Sequence, residues 1–311
     1  MMQDGSASIV PNTGESLVER AAAAKETLAD IYVLPESHRT IRDKCEILRL
    51  THLRRRGRPM GGLRLAQLSS AGKTSCFEQY RDKVIADLRA STGIDNPYVV
   101  LLVGLESSTT PKELCQTVLE ALGDQNHMIG TKKELIDRMR KFIVDCDVQL
   151  LVIDEVQHLK GKRNDRRDVT DMLKKLLQDG IVPIVFVGDE TSPELFRMNE
   201  QLGNRCGTPL SLRPLPMTQE GNREFAKFCL KLQKQMLALN IISREGALSE
   251  NNCIEKLRLY SRGHLGRVSR IVAEALEAAI LRNAATVEAV DINYAIENFA
   301  MANNYLGTMK K

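Results

Sequence analysis

Gly72-Lys73-Thr74 and, 81 residues beyond the lysine, Asp154-Glu155 are the residues of this chain whose types best suit phosphate chemistry. A lysine ammonium at the mouth of a helix can reach the outer oxygens of a polyphosphate, and the following hydroxyl can ligate Mg²⁺. An aspartate at the end of a buried strand can hold the same ion, directly or through water. A glutamate beside it can orient and activate an attacking water. Ser69, Ser70, Ala71, Gly72, Lys73, Thr74 and Ser75 would form the cradle, the first three small enough for close approach of backbone to ligand. The run departs from the usual G-x-x-x-x-G-K-[ST] pattern because Gln67 stands where the first glycine belongs. An acidic pair alone could cap a strand at the surface. With Gly-Lys-Thr upstream and one strand between, it reads as the second half of a nucleotide site.

These side chains need a parallel sheet to bring them together. "GLRLAQL" (62–68), "PYVVLLVGL" (97–105), "VQLLVIDEV" (148–156) and "IVPIVFVGD" (181–189) are strand candidates, and "PLSLRPL" (209–215) is a last short one. Helical periodicity fills the intervals: a helix follows the phosphate loop, "PKELCQTVLEALG" has proline near its start and glycine at its end, and "RRDVTDMLKKLLQDG" sets Val169, Met172, Leu173, Leu176 and Leu177 on one face. Near-continuous apolar strands separated by helices imply an α/β fold, a three-layer parallel sheet covered on both faces. In such a sheet the carboxyl ends of the strands form the ligand crevice. The organisation expected is an N-terminal helical extension (1–60), an α/β domain (61–216) and a small all-helical domain (217–311).

Bulk properties exclude several classes. The chain has 311 residues, 43% hydrophobic and 27% charged, and no Trp. That is the composition of a soluble globular protein with an aliphatic core. Seven scattered cysteines without a C-x-x-C pair argue against zinc and disulfides and suit a reducing cytoplasm. No apolar run approaches the roughly 20 residues of a membrane span, and "MMQDGSASIVPNTGES" lacks the features of a signal peptide. The net charge of +4 is mild, but Arg39 to Arg64 holds nine basic residues against two acids. Further basic sets are Lys132-Lys133 and the loop "LKGKRNDRR" with Lys160, Lys162 and Arg163. Any one of them could be a solvated surface. No aromatics are interleaved, so backbone contact with duplex DNA is a better expectation than base stacking.

The order of elements resembles the AAA+ ATPase fold. The runs "AGKTS", "LLVIDEVQHL", "VPIVFVGDE", "EQLGNRCGTPLSLRPL" and "GHLGRVSRIVAEA" resemble those of TniB/TnsC-type transposition ATPases over about residues 30 to 300. The resemblance implies an ATP- and Mg²⁺-dependent ATPase that assembles on double-stranded target DNA as a ring, hexameric or heptameric, or as a filament. It implies recruitment or activation of a DDE-type transposase, with a TniQ-type adaptor and in some systems a CRISPR effector as further partners. It assigns Thr74 and Asp154 to the metal, Glu155 to catalysis, Arg205 to a finger reaching a neighbouring subunit's ATP, Asp189 to the γ-phosphate sensor and Arg267 to the second sensor, with Arg270 as its rival. Asp189 departs from the family's Thr or Asn. Inner-rim loops of an AAA+ ring point to Thr109, Thr110, Thr131, Lys132, Lys133, Lys160, Lys162 and Arg163 as DNA contacts. A helicase loader of the DnaC/IstB type and a nucleotide-gated scaffold with little hydrolysis are the alternative readings.

Overall fold

The computed structural model describes residues 15–66, 72–107, 109–159 and 163–306, giving for 163–167 the course of the backbone. Gln67, Ser69, Ser70, Ala71, Lys160 and Lys162, and the side chain of Arg163, lie outside the described residues.

Four five-residue strands form one parallel sheet: β1 (Gly62–Ala66), β2 (Val100–Gly104), β3 (Leu150–Asp154) and β4 (Ile184–Gly188), in the order β1-β4-β3-β2. The register pairs Leu63 with Val185, Val152 with Val185 and Gly104 with Asp154. The strands are shorter than the apolar runs that announce them. The expected last strand at 209–215 is absent as a ladder among the described residues: the chain there makes only isolated parallel bridges, Gly62 to Cys206 and Leu65 to Leu210. Pro209 and Pro214 lie within it and Pro216 follows it, and proline cannot donate to a ladder.

Alternate strand residues face opposite helical layers, because side chains on a strand alternate sides. Leu151, Ile153, Ile184 and Phe186 are buried with α4 (Pro111–Ala121), α5 (Lys132–Asp145) and α6 (Arg163–Gln178). Leu150, Val152, Val185 and Val187 are buried with α2 (Glu36–Arg54) and α3 (Lys73–Thr92). The predicted face of α6 is buried: Val169, Met172, Leu173, Leu176 and Leu177 all lie inside. Short helices α7 (Pro193–Met198) and α8 (Glu200–Gly203) follow β4. The three-layer parallel α/β fold expected from the strand pattern is the fold observed.

The division of the chain differs from the expected one. One compact unit runs from Glu36 to Leu212; the other combines the chain up to Pro35 with everything from Arg213. The N-terminal sixty residues are therefore not one extension. α2 belongs to the α/β unit, while α1 (Leu17–Ala29) packs on α11 (Leu265–Leu281) in the helical unit with α9 (Gln219–Ala238), α10 (Asn251–Ser261) and α12 (Ala289–Ala295). Ala21 and Leu28 of α1 are buried in the same cluster as Val272, Leu276 and Ile280. Composition could not show this, since an amphipathic helix does not name its partner.

Within the helical unit a buried arginine fixes the incoming chain. Arg258 is 5% exposed. It donates from Nη2 to the Leu215 carbonyl at 3.0 Å and to that of Pro216, and from Nε to Asn222 Oδ1 at 3.1 Å. Gly263 has φ +76°, and a Cβ there would stand 2.5 Å from the Leu215 carbonyl oxygen. Only glycine fits that turn.

Candidate functional site

The candidate phosphate loop lies in sequence between β1, which ends at Ala66, and Gly72, whose φ of +80° is open to glycine at little cost. A Cβ at Gly72 would stand 3.1 Å from Cε1 of the buried His38, so α2 packs closely against Gly72. α3 begins at Lys73, directly after Gly72, so the positive end of its helix dipole lies at this corner of the sheet.

Lys73 crosses to the neighbouring strand end. It is 6% exposed, and its Nζ donates to the Gly188 carbonyl of β4 at 3.0 Å. Thr74 Oγ1 donates to Asp154 Oδ2 at 3.3 Å. The strand order explains this meeting: β4 and β3 are the first and second neighbours of β1, so the ends of three strands converge on the start of α3.

Asp154 closes β3, and its Oδ1 accepts from the Glu155 backbone N–H at 2.8 Å. Burial holds its carboxyl above the usual carboxylate range, and the Glu155 charge adds to this; the Glu155 amide, Lys73 and Thr74 pull the other way. A hydroxyl and a half-buried carboxylate form a donor set that fits a hard divalent cation such as Mg²⁺.

Glu155 has φ +59°, a left-handed conformation uncommon for a residue with a side chain. It ends the strand and turns the chain into the single helical turn Val156–His158. The Gln157 amide fixes the arrangement from both ends. Its Nε2 donates to Glu155 Oε2, and its Oε1 accepts from the Asp189 backbone N–H at 3.0 Å. His158 Nε2 lies 3.9 Å from the same Glu155 oxygen. Gln157 and His38 were not singled out as site residues in the sequence. Gln157 stands in the conspicuous "DEVQHL" run, whereas nothing in the spacing of His38 signals contact with residue 72.

Other predicted residues are placed differently. Asp189 Oδ1 accepts from the N–H and the hydroxyl of Thr191, at 2.8 and 2.7 Å, so its carboxylate holds the turn into α7. The Arg205 carbonyl accepts from Gly62 N at 3.0 Å. Gly62 starts β1, so Arg205 sits at the amino end of the sheet, a strand length of about 13 Å away from the carboxyl edge. Arg267 belongs to the helical unit, where its guanidinium lies 4.7 Å from the Tyr305 ring centroid and Nη1 donates to the Tyr305 carbonyl at 2.9 Å. Arg270 is exposed.

Among the loop residues, Thr109 is buried, with its hydroxyl on the Glu106 carbonyl at 2.6 Å. Thr110 and Thr131 cap α4 and α5 through reciprocal boxes with Glu113 and Glu134. Lys132 pairs with Asp168 at 2.7 Å, which brings the start of α5 beside the first turns of α6. Lys133 is exposed. Among the described residues no group of three or more His, Cys, Asp or Glu could hold a metal ion by itself, and no helix is long and apolar enough to cross a membrane.

Comparison with known proteins follows the geometry. Among solved structures, ORC2 of Aeropyrum pernix, in ADPNP–ADP complexes, superposes with a TM-score of 0.63 at 14% identity, covering 88% of this chain and 71% of that one. Cdc6p of Pyrobaculum aerophilum gives a TM-score of 0.59 at 13% identity over 88% and 70%. Domain III of the Thermotoga maritima replication initiation protein DnaA gives 0.52 at 15% over 89% and 96%. At such identities the likeness is one of fold, the AAA+ P-loop fold. No curated protein matches the chain. The profile of the bacterial TniB protein matches residues 19–213, more than half of the sequence. The chain is thus a member of the TniB family, carrying that family's sequence on an AAA+ frame.

Proposed function

We propose that this protein is an ATP-hydrolysing, DNA-binding regulator of transposition, which assembles on duplex target DNA and recruits or activates a DDE-type transposase, with hydrolysis controlling disassembly. The observation that carries the reading is the convergence of Lys73, Thr74 and Asp154 at one end of the sheet in a TniB family member. Lys73 would exchange the Gly188 carbonyl for phosphate oxygens. Thr74 and Asp154 would hold Mg²⁺, which supplies charge neutralisation at the β- and γ-phosphates. Glu155, kept in place by Gln157, would take a proton from the attacking water. Arg205 cannot reach its own subunit's phosphates from the amino end of the sheet, so its role is on a neighbour's. Asp189 and Arg267 remain candidates for the two sensors, each having first to leave its present partner.

DNA contact is assigned to Thr109, Thr110, Thr131, Lys132 and Lys133, and to Lys160, Lys162 and Arg163, the last of which begins α6 rather than lying in the loop expected from the sequence. The ORC structure of Drosophila bound to DNA shares this fold at a TM-score of 0.56 and 13% identity, which makes DNA a reasonable ligand class. A TniQ-type adaptor and a CRISPR effector are the further partners this reading admits, and the cytoplasm is its place. Filter binding of duplex DNA with ATP and with ADP, at two salt concentrations, tests it. Binding should need ATP, ignore sequence and weaken steeply with salt. Equal affinity with both nucleotides would reject assembly-dependent DNA binding.

A further inference from the structure

A second cationic cavity lies in the α/β unit, at the amino end of the sheet. It encloses about 360 Å³, and its lining includes His52, Arg55 and Arg205, with Leu48, Pro59 and Met60 as apolar wall. Among the described residues no carboxylate lines it. His52, on the last turn of α2, is 4% exposed, and its Nδ1 is buried without a hydrogen-bond partner. Arg55 stands three residues on, just past the end of α2, and is exposed; the next arginine, Arg56, is taken by Asp147. Two guanidinium groups and an unsatisfied imidazole around one space, with no acid, call for an anion. The space is large enough for the end of a polyphosphate. It is not this chain's own nucleotide site, because that site lies at the other end of the strands.

We infer that this cavity receives the terminal phosphates of the nucleotide held by a second copy of the chain, with Arg55 and the His52 ring acting beside Arg205. The inference rests on the reading of Arg205 as acting on a neighbour. It adds His52, from the last turn of α2, and Arg55, just beyond that helix, to the composite site. Arg55 offers a second fork of N–H donors, and His52 a single donor at the back of the cavity.

The test compares Arg55→Ala, Arg205→Ala and Lys73→Ala in the full chain, after thermal unfolding has confirmed that each folds. Sedimentation with the non-hydrolysable analogue AMP-PNP and with ADP reads assembly without hydrolysis. Wild type should assemble at lower concentration with AMP-PNP, and Arg55→Ala should lose most of that advantage, a roughly tenfold shift. Arg55→Lys should recover part of it. Mixed with Lys73→Ala, Arg55→Ala should regain ATPase activity, since a shared site then has both intact halves. His52→Phe, which fills the space without a donor, should behave as Arg55→Ala. Two outcomes overturn the proposal while sparing Arg205: wild-type assembly and turnover in Arg55→Ala, or a loss that Lys73→Ala does not rescue although it rescues Arg205→Ala. If Arg205→Ala is not rescued either, the reading of Arg205 falls and takes the proposal with it. If Arg55→Ala weakens DNA binding alone and leaves DNA-free assembly untouched, the anion is a backbone phosphate and the proposal is wrong.

Discussion

Lys73 Nζ is hydrogen-bonded to the carbonyl oxygen of Gly188, the last residue of the neighbouring strand β4, and both lie buried. The ammonium is therefore aimed across the strand ends. Removing it should cost the charge-assisted contacts to phosphate, about 1.5–3 kcal/mol, or a roughly 10- to 150-fold loss of nucleotide affinity. Fluorescent-nucleotide titration of Lys73→Ala checks this; unchanged affinity would remove Lys73 from the site.

Glu155 and Gln157 make a separable pair. Glu155→Gln keeps shape and removes the base, so nucleotide binding should persist while turnover falls roughly 10²- to 10⁴-fold. Gln157→Ala leaves the base but frees its side chain. The expected result is a smaller fall in kcat, about tenfold, with KM nearly constant. Steady-state kinetics of both variants decides, and an equal fall in both would mean that Gln157 does more than position.

Gly188 tests packing at the same corner. An added Cβ would stand 2.7 Å from Ser192 Cβ, 2.8 Å from Val156 Cγ2 and 2.9 Å from Gln157 Oε1. Gly188→Ala should destabilise by about 1–3 kcal/mol through overpacking. It should also disturb the Gln157 link, so turnover should drop along with the melting temperature. Unfolding curves and ATPase assays on one preparation measure both effects.

Two histidines give the fold a pH dependence. Burial and the nearby Arg267 and Arg262 lower His264; burial and Arg56 lower His52, with Asp147 partly opposing. Between the ordinary imidazole value, about 6.5, and the lowered native values the unfolded chain binds more protons than the folded one. Stability should then rise with pH across that window and be lost as pH falls through it. Melting temperatures at about pH 5.5 and 7.5 should differ in this sense. His264→Gln should narrow the difference; an unchanged gap would locate the effect elsewhere.

Much of the α/β unit was legible because its strands are buried on both faces. Runs such as "LLVID" and "IVFVG" have little reading other than internal parallel strands, and Gly-Lys-Thr between a strand and a helix points to one edge of the sheet as the candidate site. The site was legible where its contacts are short-range in the sheet: Lys73, Thr74 and Asp154 meet because their strands are near neighbours. What the residues did not reveal depends on long-range partners. The wall that His38 forms against Gly72, the two-ended hold of Gln157 and the packing of α1 on α11 join segments whose spacing carries no periodic signal. The strand expected at 209–215 failed for a local reason, the prolines at 209 and 214 within it, which hydrophobicity alone outweighed in the sequence.

The division of the helical unit between the two ends of the sequence bears on how such a protein can be cut and exchanged. A chain stopped at Leu212 would keep α1 but lose α11, leaving the Ala21 and Leu28 face in water. A chain started after Pro35 would open the opposite wound on α11. Grafting this unit between relatives therefore takes two matched junctions, and inheritance should keep α1 and α11 together as one module although more than two hundred residues lie between them.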